Sequence, residues 1–257
     1  MKTQISVSKF LALLAVIASS FLFIEASAQS SLRDSVIRMS TIELSLGLHA
    51  PIGDMSARFG GSAAMGAAYR YKTKDNWQFG LEGSFFFGND VKEQVATGLL
   101  TSEGFIIDRV GGFTELLVLE RGMLISATIG KVIPVFGPNP NSGFVFRFGS
   151  GFMQHKIRLE TRNNDVPQLE GDYLKGYDRL SNGLMLHQFV GYQYLSNKRL
   201  INFTLGIEGF QGFTQSRRDF NFDLMKKDET KRLDSLYGLR FSWNFPIYRK
   251  SANGYYY

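Results

Sequence analysis

The 257-residue chain contains no cysteine and only three histidines, six prolines and two tryptophans. Each shortage removes a class of function. Without cysteine there is no disulfide framework, no thiolate metal site and no lipidated N-terminal thiol. His49, His155 and His187 are dispersed and form no spaced ligand pair. The acids in residues 163–165 and 227–229 read as solvated loop charges, and no glycine-rich phosphate loop opens a helix, so no metal, nucleotide or other cofactor is expected. Long apolar runs are scarce too. Residues 10–24 form one, roughly fifteen residues long and short of the roughly 18 to 20 that a membrane helix needs. It follows Lys2 and Lys9 and precedes Ala26-Ser27-Ala28, a small-x-small site, so residues 1–28 read as a secretory signal peptide cleaved after Ala28.

The charge is +6, from 29 Lys and Arg against 23 Asp and Glu. Basic and acidic residues are interleaved, and with an export leader this argues against nucleic acid and for contact with anionic lipid such as lipopolysaccharide.

What the remainder holds is alternation. Ile42, Leu44, Leu46 and Leu48 lie on one face of a first segment, with Glu43, Ser45, Gly47 and His49 on the other, which is the period of a strand. Seven more such segments follow, around residues 63–71, 77–87, 122–132, 144–148, 184–194, 201–207 and 237–247. The last is the clearest: Tyr237, Leu239, Phe241, Trp243, Phe245 and Ile247 alternate with smaller or polar residues. Connections at 74–76, 133–143 and 196–199 are short, while those at 50–61, 88–121, 160–182 and 214–234 are long. The apolar groups at 105–107 and 113–119 are placed as a hairpin inside the second long loop. An even strand count with short turns at one end and long loops at the other predicts an all-β, eight-stranded, antiparallel up-and-down transmembrane barrel. Residues 29–39 would lead into the barrel at 40–248, and residues 249–257 would form a short tail.

Alternation alone also suits a soluble, lipocalin-like carrier with its apolar face inward. Glycine decides between them. Gly47, Gly66, Gly80, Gly130, Gly149, Gly191, Gly206 and Gly238 all fall on the polar face, where a narrow lumen needs small residues to admit a few large ones. Glu43, Glu82 and Glu208 share that face with Arg70, Arg147 and Arg240. A buried charge needs a partner, so the six are expected to pair and plug the lumen. Aromatics cluster at strand ends, with Tyr69, Tyr71, Trp77, Tyr192, Tyr194 and Trp243 toward the short turns and Phe85, Phe87, Phe213 and Tyr237 toward the loops, as two membrane-interface girdles would require.

Gly238, Phe241 and Trp243 in the last segment resemble the Gly-x-x-apolar-x-aromatic signal by which outer-membrane barrels are recognised for assembly. In plan the chain is similar to eight-stranded barrels of the OmpX/OmpA type and to PorT-like barrels. The resemblance implies an outer-membrane location, the barrel-assembly machinery as a partner, and a non-enzymatic role in envelope or secretion assemblies. Some barrels of this size modify lipids, but none of the three histidines has the His-x-Ser arrangement of lipid A deacylases. Two loop features remain. Residues 165–177 are rather apolar and either contact a partner or fold over the barrel mouth. Arg217, Arg218, Lys226, Lys227, Lys231 and Arg232 form a basic cluster suited to lipopolysaccharide phosphates or a partner protein.

Overall fold

The structure is a computed structural model that describes residues 35–161, 166–198 and 201–247. The signal-peptide and tail readings lie outside the described residues. Eight long strands close on themselves: β1 (Met39–Gly53), β2 (Ser62–Lys72), β3 (Trp77–Gly88), β6 (Leu116–Ile133), β7 (Gly143–Thr161), β8 (Ser181–Leu195), β9 (Asn202–Ser216) and β10 (Lys231–Ile247). Each pairs antiparallel with its neighbours in chain order, and β10 pairs with β1 to seal the barrel. Two short strands, β4 (Ile106–Ile107) and β5 (Phe113–Thr114), form a hairpin inside the loop that follows β3.

Closure removes every sheet edge, the condition for a sheet to survive in hydrocarbon. The strands run further toward the long loops than the alternation marks. β6 begins at Leu116 rather than near 122, and β7 continues to Thr161. Leu116–Leu119 therefore belong to the barrel wall, while the hairpin keeps only Ile106–Ile107 and Phe113–Thr114. At the start of β6 both faces are apolar, and along the end of β7 the polarity inverts, with Met153, Ile157 and Leu159 inward and Gln154, Lys156 and Arg158 outward, so the apolar-outward period fades although pairing continues.

The alternate positions have opposite fates. Leu44, Leu46, Leu48, Leu81, Phe241 and Trp243 are exposed on the outer wall, whereas Glu43, Arg70, Arg147 and Arg240 are almost wholly buried within it. A soluble carrier would require the reverse. This polarity is that of a barrel that crosses a lipid bilayer.

Candidate functional site

The lumen is built in three storeys, and the sequence dictates each one. At the short-turn end the proline-bearing connection 134–142 folds inward under the barrel. Buried Asn141 is its hub: its side-chain oxygen accepts from Lys72 Nζ at 2.9 Å and Ile37 N at 3.0 Å, and its carbonyl accepts from Gln193 Nε2 at 3.1 Å. Asn139 reaches the Leu195 carbonyl at 2.6 Å. Turns and asparagines satisfy one another here, as buried polar groups must.

Above this floor the structure brings together all six lumen charges named from the sequence. Glu43 accepts from Arg70 Nε at 2.7 Å and from Arg147 Nη2 at 2.9 Å. Glu82 pairs with Arg70 and, at 3.3 Å, with Arg240; Arg240 also reaches Glu208 at 3.0 Å. Two histidines complete the ring, His187 Nδ1 lying 2.6 Å from Glu82 and His49 Nε2 lying 2.8 Å from Glu208. Thr128 accepts from Arg70 at 2.8 Å, Gln78 from Arg147 at 3.1 Å and Ser242 from Arg240 at 3.0 Å. Glycine makes this crowd possible. A Cβ at Gly80 would lie 2.5 Å from an Arg70 nitrogen, and one at Gly130 would lie 2.8 Å from Arg147 Cγ and 2.6 Å from the Phe146 carbonyl.

The third storey, toward the long loops, is apolar. Ala64, Phe86, Leu124, Met153, Met185, Phe210 and Leu236 point inward from the strands, and Met55 and Phe59 enter from the loop after β1 to fill the centre. Phe210 is the seam: its ring stacks on His187 at 4.4 Å and meets His49 edge-on at 5.8 Å. Sequence reasoning treated the inward face as polar throughout and missed this core. The signal was present in Phe85-Phe86-Phe87 and Leu184-Met185-Leu186, where apolar residues occupy both faces of a strand.

Loops pack over the mouth. Gly53, at φ 69°, turns β1 into a short 3-10 turn over Asp54–Ala57, a left-handed conformation suited to glycine. Asp54 then accepts from the Leu233 backbone at 2.8 Å. Leu169, Leu174 and Tyr177 pack onto the apolar core, so the described part of the apolar loop, residues 166–177, folds back over the mouth while Tyr173 stays exposed. An ionic chain ties four loops together: Arg58 to Glu93 at 2.7 Å, Glu93 to Arg179 at 3.4 Å, and Arg179 to Asp223 at 2.8 Å. Beneath it, His155 lies 2.8 Å from Asp234, both fully buried.

Four of the six basic residues of the last loop have polar or acidic partners. Arg218 pairs with Asp178 and Arg232 with Asp228, at 2.5 and 2.6 Å. Lys227 stands 3.7 Å from Glu229, and Arg217 donates to Asn182 at 2.6 Å. Lys226 and Lys231 are exposed. The hydrogen bond from Arg218 to Asp178 holds that guanidinium above its usual range. Burial opposes the charge of Asp228, but Arg232 and Thr230 outweigh it and hold the carboxyl below its usual range. In the last strand a Cβ at Gly238 would lie 1.8 Å from the Leu48 carbonyl, while Phe241 and Trp243 face outward.

No protein-family model matches this chain, and no curated protein matches it. Among solved structures, it is similar to the Yersinia pestis attachment invasion locus protein Ail crystallised with the heparin analogue sucrose octasulfate, at 11% identity and TM-score 0.39 over 81% of this chain and 99% of that one. It is also similar to Neisserial surface protein A, at 10% identity and TM-score 0.42 over 80% and 95%. The N-terminal β-barrel domain of Pseudomonas aeruginosa OprF gives 10% identity and TM-score 0.32 over 80% and 97%. These likenesses are distant, and it is the chain's own strand pairing and polarity that give it the architecture of a small outer-membrane β-barrel.

Proposed function

We propose that the chain is a non-enzymatic outer-membrane barrel with a closed lumen, and that it serves the cell envelope by presenting its surface to a partner. The observation that carries this reading is the continuous filling of the interior, with asparagines at one end, paired ions in the middle and an apolar core under a loop cap at the other. Such a barrel is a rigid display scaffold rather than a channel. The three histidines are buried against carboxylates inside the wall, remote in character from an exposed nucleophile facing lipid.

Residues 1–28 would direct export, residues 29–39 and 249–257 would flank the 40–248 barrel, and Gly238, Phe241 and Trp243 would be read by the barrel-assembly machinery. The outer loops present Ile107, Val110, Phe113 and Tyr173 to the exterior, and apolar exposure of this kind suits a protein partner. The similarity in plan to PorT-like barrels extends the proposal to an accessory role in secretion. Lipid and lipopolysaccharide are the constant surroundings, and nucleic acid has no part.

Single-channel recording on purified protein in planar bilayers tests the closed lumen. The expected result is no steady conductance. A stable ohmic current would overturn it.

A further inference from the structure

We propose that the outer wall carries a seat for one phosphorylated glycolipid, an acyl chain lying in a hollow over β2 and a phosphate held between Arg121 and Lys156. The proposal rests on the reading that the barrel lies in the outer membrane with its long loops outward.

The hollow is a product of small side chains. Ala63 faces outward from β2 between bulkier register partners, Leu48 on β1 and Phe87 on β3. Two adjoining hollows share Leu48, Ala63 and Phe87. One, of about 400 Å³, is almost wholly apolar and also lined by Leu46 and Leu239; the other, of about 550 Å³, continues from it to Asn89 and Arg121. A hydrocarbon chain laid there recovers the dispersion contacts that a dented wall forfeits.

The upper end of the hollow is cationic. Arg121 Nη1 donates to the Glu120 and Gly88 carbonyls at 2.6 and 3.4 Å, which fixes the guanidinium and leaves its other N–H groups available. Lys156 is its register partner on β7 and shares the outward face. Among the described residues neither is within ion-pair distance of a carboxylate, in contrast to Arg218 and Arg232.

Height in the membrane agrees. On β6 the outward face runs from Lys131, whose ammonium lies 4.7 Å above the Trp77 ring, through Met123–Ile129 positions that are apolar, to Arg121. About ten residues of strand, at roughly 3.3 Å each and tilted by about 40°, span roughly 25 Å, the height of the apolar band of such barrels. Arg121 and Lys156 thus stand where outer-leaflet phosphates lie, and a phosphate between them takes charge-assisted hydrogen bonds from both.

The test uses the full chain purified in mild detergent and exchanged into phosphatidylcholine nanodiscs containing a minor fraction of purified lipid A, with co-retained lipid read by native mass spectrometry. Neutralising both cations, Arg121→Gln with Lys156→Gln, is expected to lower retention about tenfold or more. Ala63→Leu, which fills the hollow and keeps the charges, is expected to lower it as well, whereas Lys74→Gln, at an exposed lysine in the short turn between β2 and β3, leaves it unchanged. Equal retention by the wild type and the double variant would overturn the proposal. So would equal retention of dephosphorylated lipid A, or full displacement by an equal amount of phosphatidylglycerol. Heat-modifiable gel mobility of every variant, measured in parallel, shows whether the barrel is folded. If the wild type lacks it, the membrane-barrel reading fails; if all variants keep it, a loss of lipid reports on the seat alone.

Discussion

The ionic and apolar storeys occupy one lumen yet solve its filling in opposite ways. The ionic storey draws its six charges from six different strands, β1, β2, β3, β7, β9 and β10, and every group has a directed partner. The apolar storey is filled in part by Met55 and Phe59, which enter from a loop. The difference is one of specificity against tolerance. A one-residue slip of any strand in the ionic layer would turn its charge toward lipid and leave partners unpaired inside. Apolar packing demands volume rather than identity and accepts contributions from segments that fold late. Ions therefore suit the wall inside the bilayer, where strand register must be fixed, and apolar filling suits the mouth, where loops must dock.

The strongest way to break this comparison is to remove one ion. Arg240→Met leaves Glu82 and Glu208 without a shared cation, and the barrel is expected to lose about 3 to 5 kcal/mol, read as a lower urea midpoint in detergent. Replacing Glu208 by Gln in the same chain is expected to restore part of that loss, because the surviving carboxylate then keeps Arg70. In the apolar storey Phe59→Ala is expected to cost about 3 kcal/mol, but locally. The loop after β1 should become protease-sensitive while the barrel keeps its heat-modifiable mobility. Equal global destabilisation by both variants would erase the distinction.

The ionic chain over the mouth is weaker. Glu93→Gln uncouples Arg58 from Arg179, each of which keeps a second carboxylate in Asp234 or Asp223, and is expected to cost about 1 kcal/mol, visible as faster amide exchange in residues 90–97. The smallest effect is one of pH. The Asp228 carboxyl is held below its usual range by Arg232 and Thr230, so its contribution is complete above the unfolded value, about 3.9, and is lost as pH falls through the lower folded value. Protection factors in residues 226–232, corrected for the pH dependence of intrinsic amide exchange, should therefore be constant from neutrality to about pH 4 and fall only below it, and Asp228→Asn should remove that acid step.

What was legible in the sequence follows from this division. Period-two alternation marked the eight strands because lipid on one side and ions on the other impose different chemistry on successive residues. The equal numbers of acids and guanidiniums, and the glycines beside them, were visible for the same reason. Who pairs with whom was not visible, since Arg147 reaches Glu43 across the barrel and only the closed register brings them together. The apolar storey escaped notice because alternation vanishes when both faces are greasy, as in Phe85-Phe86-Phe87. On that account the sequence pattern assigns the start of β6 to the loop hairpin. The mouth was equally hidden: Arg58, Glu93, Arg179 and Asp223 come from four loops, and local patterns carry no information about such meetings.

The central claim is the phase of the wall, with odd-numbered residues of β10 toward lipid and even-numbered ones in a closed interior. Because the chain has no cysteine, single substitutions Leu239→Cys, Phe241→Cys, Ser242→Cys and Asn244→Cys can each carry a spin label in liposomes. The account predicts that labels at 239 and 241 collide with lipid-dissolved oxygen, while those at 242 and 244 are shielded from both oxygen and a water-soluble nickel chelate. Reversed phase, or free access of the chelate to 242 and 244, would contradict it.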